Sequence, residues 1–242
     1  MKRSRPIVAT LALAVLATAA CGSGGTAASG AGAPQSTKTL TSDDLKRALL
    51  SVADVPGYQL EQDPGPSASG YPSEPPPSMN PTPHGIAPSS TNPGCDDATE
   101  EIFDIGPDTP DAPRAAVDYA TSSGDSTIDQ VIVSGGSDAT KYFSDLRSRL
   151  LGCTTWSITR RSGVTTTSIS PVTSPKVGDD MIAISITTTR TKDGSKDVST
   201  VVAVRVGNIM SSIIKDGNQP GPEINAMVTK TVDRIKGLTP AR

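Results

Sequence analysis

Histidine, cysteine and aromatic residues are scarce in this chain of 242 residues, which contains one His, three Cys, two Phe, one Trp and four Tyr. A Ser-His-Asp or Cys-His arrangement needs a positioned histidine. The single one, His84, lies in a Pro/Ser-rich stretch that gives it no rigid support. The chain also lacks a G-x-S-x-G elbow and a Gly-rich phosphate loop. The sequence therefore predicts a non-enzymatic protein without a cofactor, with a hydrolase as the third alternative.

Positive charge is also in short supply. The formal charge of the whole chain is −3, and removal of Lys2, Arg3 and Arg5 with an N-terminal leader would make it −6. Proteins that bind nucleic acids or anionic lipids through their fold need a basic patch. The sequence therefore predicts no nucleic-acid partner.

No apolar run reaches the roughly 20 residues that span a bilayer. Residues 7–20 form a shorter uncharged run after a basic start, which is typical of a signal peptide. The small residues before Cys21 resemble a bacterial lipobox. We therefore predict a lipoprotein signal peptide at 1–20, lipidation of Cys21 and a Gly/Ser/Ala tether at 21–39 with a reach of roughly 20–25 Å. This places the domain on the extracytoplasmic face of the cell membrane. Ordinary cleavage after Ala17-Thr18-Ala19, followed by secretion, is the alternative.

Cysteine arithmetic links this anchor to the fold. If Cys21 carries a lipid, Cys95 and Cys153 remain to pair in an oxidising compartment. We predict a structural disulfide between them, with Trp156 packed beside it. A redox-active thiol pair is the alternative, although such pairs usually show C-x-x-C spacing.

Residues 40–238 are predicted to form a single α+β domain. Ten prolines at 64–93 indicate an irregular loop, either functional or disordered. Helices are predicted from Thr41 to before Pro56, at 96–103, at 138–152 and at 222–236. Extended segments around 115–121, 126–134, 154–159, 164–172, 181–190, 197–206 and 208–215 follow one another with short turns, among them a hairpin at 192–195. The expected architecture is an antiparallel β-meander of about six to seven strands with helices packed mainly on one face.

The other face of this sheet is the predicted site. Hydroxyl side chains alternate with apolar ones on two adjacent strands, which favours a polar, uncovered face. Hydroxyls with one guanidinium suit a polar or anionic ligand, such as a glycan or a phosphorylated wall fragment. A solvent-facing sheet surface without a ligand is the alternative. The candidate ligand-binding residues are Ser185, Thr187, Thr189, Ser199 and Arg205.

The sequence predicts no metal-binding and no catalytic residues. Asp43-Asp44 and Asp96-Asp97 suit helix starts, where a carboxylate favours the positive end of the helix dipole. Asp179-Asp180 precedes a strand, and its spacing is not that of an EF-hand loop. It is interpreted as a solvated turn, with a calcium contact as the alternative.

Several segments follow one another in a characteristic order: DLKRALLSVADVPGY, a Pro-rich stretch, a Cys, AAVDYATSS with IDQVIV, ATKYFSDLRSRLLGCTTW and a strand series that starts with VGDD. Together they resemble the PknH-like extracellular domain of mycobacterial receptor kinases and stand-alone actinobacterial lipoproteins. The resemblance covers about residues 40–238 and implies a sensor or ligand-binding module with a cleft and two disulfides. This chain has cysteines for only one of these disulfides, and no family residue can be carried over.

We therefore expect a monomeric, membrane-anchored sensor domain that binds a cell-envelope ligand or an envelope protein. The alternative is a structural or interaction lipoprotein of the envelope that has no small-molecule ligand.

Overall fold

One antiparallel sheet of nine strands organises the domain in the computed structural model. The structure describes residues 40–62, 89–106, 112–160, 163–217 and 223–238. The predicted leader, Cys21, the tether at 21–39, His84 and most of the Pro-rich loop lie outside these residues.

Most neighbouring strands in the sheet are also consecutive in the sequence. The exceptions are the two edge strands and the central pair of β4 and β9. Across the sheet the order is β1-β3-β4-β9-β8-β7-β6-β5-β2, so β1 and β2 lie at opposite edges although they are neighbours along the chain. The strands are β1 (Tyr58–Gln62), β2 (Ser89–Ser90), β3 (Arg114–Thr121), β4 (Thr127–Ser134), β5 (Thr155–Arg160), β6 (Gly163–Pro171), β7 (Asp180–Arg190), β8 (Lys196–Val206) and β9 (Ile209–Asp216).

The expected six to seven strands are too few, because two edge strands were missed. β1 has five residues and directly follows the Pro56-Gly57 turn, so its alternation is too short to stand out. β2 has two residues at the end of the Pro-rich stretch and pairs with Thr159 and Ile158. The seven segments predicted from alternation and β-branched content are all strands.

The four α-helices of the described residues pack on both faces of the sheet, so the expectation of helices mainly on one face is wrong. They are α1 (Ser42–Lys46), α2 (Pro93–Phe103), α3 (Ala139–Gly152) and α4 (Ile224–Leu238). Buried residues of α1 and α4 pack with strands on one face, which we call the front. Buried residues of α2 and α3 pack on the opposite face, which we call the back. Strands buried on both sides lose the alternation that indicates a single apolar face.

Helix α1 is also much shorter than predicted. Thr41 caps this helix where the sequence predicts it to begin, and a capping box joins Thr41 and Asp44. The helix ends at Lys46, and a 3-10 turn at Val52–Asp54 follows. Leu45 is fully buried, whereas Val52, which would share its face in a continuous helix, is 51% exposed. The apolar spacing of this segment therefore reflects a folded turn and not a continuous helix.

Buried polar contacts attach this N-terminal segment to the sheet and to α4. The Gln130 side chain accepts a hydrogen bond from the Leu50 amide at 2.7 Å and donates one to Thr231 at 2.9 Å. Asp54 binds Arg234 at 2.7 Å and Lys230 at 3.1 Å. Because unpaired buried polar groups are costly, these contacts fix the front layer over β3, β4 and β9.

Candidate functional site

Nine hydroxyl side chains cover the front of β5, β6 and β7. The pairing register aligns Thr155 with Ser168 and Thr187 across the three strands, and Ser157 with Thr166 and Thr189. Each of the nine residues is either half-buried or exposed, and none belongs to the core. We call this surface the hydroxyl face, and it consists of Thr155, Ser157, Thr159, Thr166, Ser168, Ser170, Ser185, Thr187 and Thr189.

Strand alternation explains why hydroxyls line the front here. Neighbouring residues on a strand point to opposite faces. On the back of the same strands lie Ile182, Ile184 and Ile186, which are buried beneath α2 and α3. The apolar set stabilises the domain, and the alternate positions are left free to carry polar side chains.

The front helices stop short of the hydroxyl face. Helix α4 packs on β8 and β9, and α1 packs on β3. Met181 and Ala183, at the start of β7, are the last β7 residues to contact this front core. A hydrogen bond from Ser174 to Asn225 joins the β6–β7 connection to the start of α4. Among the described residues, no helix covers the polar side chains that follow Ala183 on the front of β7.

The structure divides the five predicted ligand-binding residues between the two faces. Ser185, Thr187 and Thr189 lie on the hydroxyl face, where Ser185 pairs with Thr200 and Thr187 with Val198. Ser199 pairs with Ile186, and this register places it on the back of the sheet. The predicted grouping of all five on one face is therefore wrong, because alternation within a strand does not fix the register between strands.

Arg205 is also on the back, where it supports a turn. Its Nη1 donates to the Gly207 carbonyl at 2.9 Å and lies 3.5 Å from the Asp179 carboxylate. The same carboxylate accepts the Gly207 amide at 2.6 Å. The Arg205 side chain is 13% exposed. These contacts hold the β8–β9 turn and give Arg205 a structural position away from the hydroxyl face.

The Asp179-Asp180 pair is likewise engaged by protein groups. Asp179 caps the β8–β9 turn, and Asp180 accepts a hydrogen bond from Arg147 at 3.1 Å. Within the described ranges, no three His, Cys, Asp or Glu side chains are grouped as a metal site. The same part of the chain contains no helix long and apolar enough to cross a membrane.

The predicted disulfide between Cys95 and Cys153 is present and connects α2 to the end of α3. The bridge packs against Trp156 and Ile158 on the back of β5. Trp156 is buried, as expected for core packing beside the bridge. The disulfide therefore holds the helical layer behind the hydroxyl face.

A group of carboxylates that no local sequence signal predicts lies on the back of β3, β4 and β9. Asp118 pairs directly with Asp129 across the strands. Burial, with the nearby charges of Asp118, Asp216 and Glu61, raises the pKa of Asp129 to about 7. Burial and Glu61 also raise the pKa of Asp118. Only the strand register, which is not readable from a single sequence, brings these residues together.

Two solved structures match this chain to different degrees. The extracellular domain of PknH from Mycobacterium tuberculosis superposes with a TM-score of 0.54 at 12% sequence identity, covering 83% of this chain and 99% of that one. An uncharacterized Mycobacterium smegmatis protein, an ortholog of Rv0999, matches with a TM-score of 0.38 at 11% identity, covering 81% of this chain and 95% of the other. No family model and no curated protein sequence matches the chain. The first likeness confirms the fold that the PknH-like resemblance implied.

Proposed function

We propose that this chain is a non-enzymatic, lipid-anchored extracytoplasmic domain whose hydroxyl face binds a glycan of the cell envelope. The observation that carries the proposal is the array of nine hydroxyls on a sheet surface that no described helix covers. The disulfide supports an oxidising compartment. The lipobox at Cys21 and the tether at 21–39 supply the anchor.

The chemistry of the hydroxyl face suits a neutral polyhydroxylated ligand. Each Ser or Thr hydroxyl both donates and accepts hydrogen bonds, so it can pair with a sugar hydroxyl in either orientation. Neighbouring strands are about 4.8 Å apart, and same-face residues along a strand are about 6.6 Å apart. Ser157 and Thr166 already share a hydrogen bond at 3.1 Å, which shows that the array tolerates close hydroxyl pairs.

Among the residues that the structure describes, the array has no aromatic platform, and this sets the expected affinity. Trp156, Tyr58 and Tyr119 are all buried. Each exposed hydrogen bond contributes only about 0.5–1.5 kcal/mol net. Short glycans should therefore bind weakly, and affinity should rise with chain length as repeating units engage successive hydroxyl rows.

A matched pair of variants on one strand tests this proposal. Thr187 lies in the middle of the hydroxyl face, while Thr188 points to the back opposite Asp197. We expect Thr187→Lys to weaken binding of soluble peptidoglycan glycan strands at least about fivefold, because its long side chain covers adjacent hydroxyls. Thr188→Lys should leave binding within about twofold. The measurement is an amide chemical-shift titration of the mature chain carrying Cys21→Ala.

Two outcomes would contradict the proposal. Equal weakening by both substitutions would place the site elsewhere, and no saturable shift with any strand length would favour the alternative of a structural or interaction lipoprotein. Anchoring is tested separately in the full precursor. Cys21→Ala should abolish labelling by a palmitate analogue while the domain stays folded.

A further inference from the structure

A surface cavity lies at one end of the sheet, between the end of β5, the start of β6 and the β7–β8 hairpin. Its volume is about 270 Å³. Three of its lining residues are cations, Arg160, Arg190 and Lys192, and one is an anion, Asp193. The cavity lining therefore carries a net positive charge in a chain whose formal charge is −3.

Arg160 stands apart from the other arginines of the described residues. Each of the other seven forms an ion pair with a carboxylate, among them the pair between Arg190 and Asp197 at 2.7 Å. Arg160 and Lys192 have no ion-pair or hydrogen-bond partner within the part of the chain that the structure describes. Among the described residues, these two cations therefore form no ion pair.

The register shows how the cavity forms. Arg160 pairs with Gly163, and Arg190 pairs with Thr165, so the two arginines flank β6 from either side on the same face. A Cβ added at Gly163 would meet nothing within 4 Å, which shows open space between them. The Arg190 guanidinium is held by Asp197 and by Ser195 at 3.2 Å.

The anionic residue at the rim offsets one of these three positive charges. Asp193 accepts the Ser195 amide at 2.9 Å, so its carboxylate is engaged inside the hairpin. Hydrogen bonds from the Ser195 side chain and backbone lower the pKa of Asp193 and keep it ionised. The three cations still outnumber it, so the lining keeps a net positive charge.

We propose that this cavity binds a phosphate ester of the cell envelope, carried either by a polymer or by a lipid headgroup. Arg160 and Lys192 contact the phosphate oxygens, and Arg190 offers its remaining guanidinium donors. This site lies at the strand ends, and its ligand differs in charge from the neutral glycan of the hydroxyl face. The inference therefore goes beyond the proposed function.

The first experiment compares glycerol 3-phosphate with glycerol in amide chemical-shift titrations of the mature chain carrying Cys21→Ala. We expect saturable shifts at Gly163, Thr165 and Lys192 with the phosphate ester and none with glycerol. The double variant Arg160→Gln/Lys192→Gln should lower affinity about tenfold or more, because two charge-assisted hydrogen bonds are lost. Lys196→Gln, at the same hairpin but on the front of the sheet, is the control and should leave affinity unchanged.

No saturable shift with glycerol 3-phosphate, or equal affinity in the double variant, would overturn the proposal. Thr187→Lys should leave phosphate binding intact, so failure here and failure at the hydroxyl face are distinguishable. Poly(glycerol phosphate) and phosphatidylglycerol vesicles then separate the two sources. Binding to either one that depends on Arg160 and Lys192 supports the site and identifies the phosphate as polymer-borne or lipid-borne.

Discussion

The sheet has two halves that differ in how they are covered. Strands β8 and β9 pack against helices on both faces, and β3 and β4 pack against helices in front, whereas β5, β6 and β7 have helices behind them and hydroxyls in front. We call β3, β4, β8 and β9 the covered half and β5, β6 and β7 the open half. In the covered half, the six residues of β9 from Ile209 to Ile214 are all buried. In the open half, β7 alternates between buried isoleucines and half-buried hydroxyl residues. Continuous burial marks a strand that helices cover on both faces, and the alternation along β7 marks a strand with a front surface available for binding.

Removal of the disulfide is expected to have the largest effect on stability, because the bridge connects the helices behind the open half. Replacing Cys95 and Cys153 by serine should lower the free energy of unfolding by up to about 4 kcal/mol, given a sequence separation of 58 residues. Urea denaturation of the mature chain measures the change. A loss below about 1 kcal/mol would show that the bridge does not stabilise the back layer.

Adjacent residues of β7 should differ sharply in their contribution to stability. Ile184 is fully buried on the back, and Ile184→Ala should cost about 2–4 kcal/mol through lost burial and a cavity. Ser185 faces the front, and Ser185→Ala should change stability by less than about 0.5 kcal/mol. Denaturant midpoints of the two variants give the comparison. Similar losses would mean that the front of the open half is packed and not free.

The carboxylates behind the covered half predict an unusual pH dependence. The pKa of Asp129 is raised to about 7 in the folded state, above an unfolded value near 3.9. The folded protein therefore holds a proton that the unfolded chain releases, and stability should fall as pH rises from about 5 to about 8. We expect a loss on the order of 1–2 kcal/mol over this interval.

Asp129→Asn is the matched variant for this effect, because it keeps the shape and removes the titration. Thermal unfolding across the same pH interval should show a flatter profile in the variant.

Asp54 does not interfere with this measurement, although its pKa is also perturbed. Burial opposes its ionisation, but hydrogen bonds from Ser51, Arg234 and Lys230 lower its pKa, so its effect appears only below about pH 4. A stability that rises with pH between 5 and 8 would contradict this account.

Local sequence signals predicted the elements well. Alternation identified seven strands, the 192–195 turn lies within the β7–β8 hairpin, and the helices predicted at 138–152 and 222–236 correspond to α3 and α4. Long periodic segments carry many independent signals, whereas β2 has only two residues and α1 only five. Those short elements depend on tertiary contacts that no local pattern encodes.

The candidate site was only partly predictable, for a different reason. Ser185, Thr187 and Thr189 share a face because they lie on one strand, and period-2 alternation is sufficient to group them. The sequence placed Ser199 and Arg205 on the wrong face of the sheet. Grouping them with Ser185 required a strand register that differs by one residue from the observed one. The carboxylates around Asp129 and the cations around Gly163 also come together only through pairing between strands.

Mapping the glycan contact on the mature chain tests the central claim most directly. In an amide chemical-shift titration with a long soluble peptidoglycan strand, the account predicts that the responding residues belong to β5, β6 and β7 and include Ser168, Thr187 and Thr189. Residues of β4, β9 and α4 should stay unchanged. Shifts confined to the covered half, or no response at the hydroxyl face, would contradict the account.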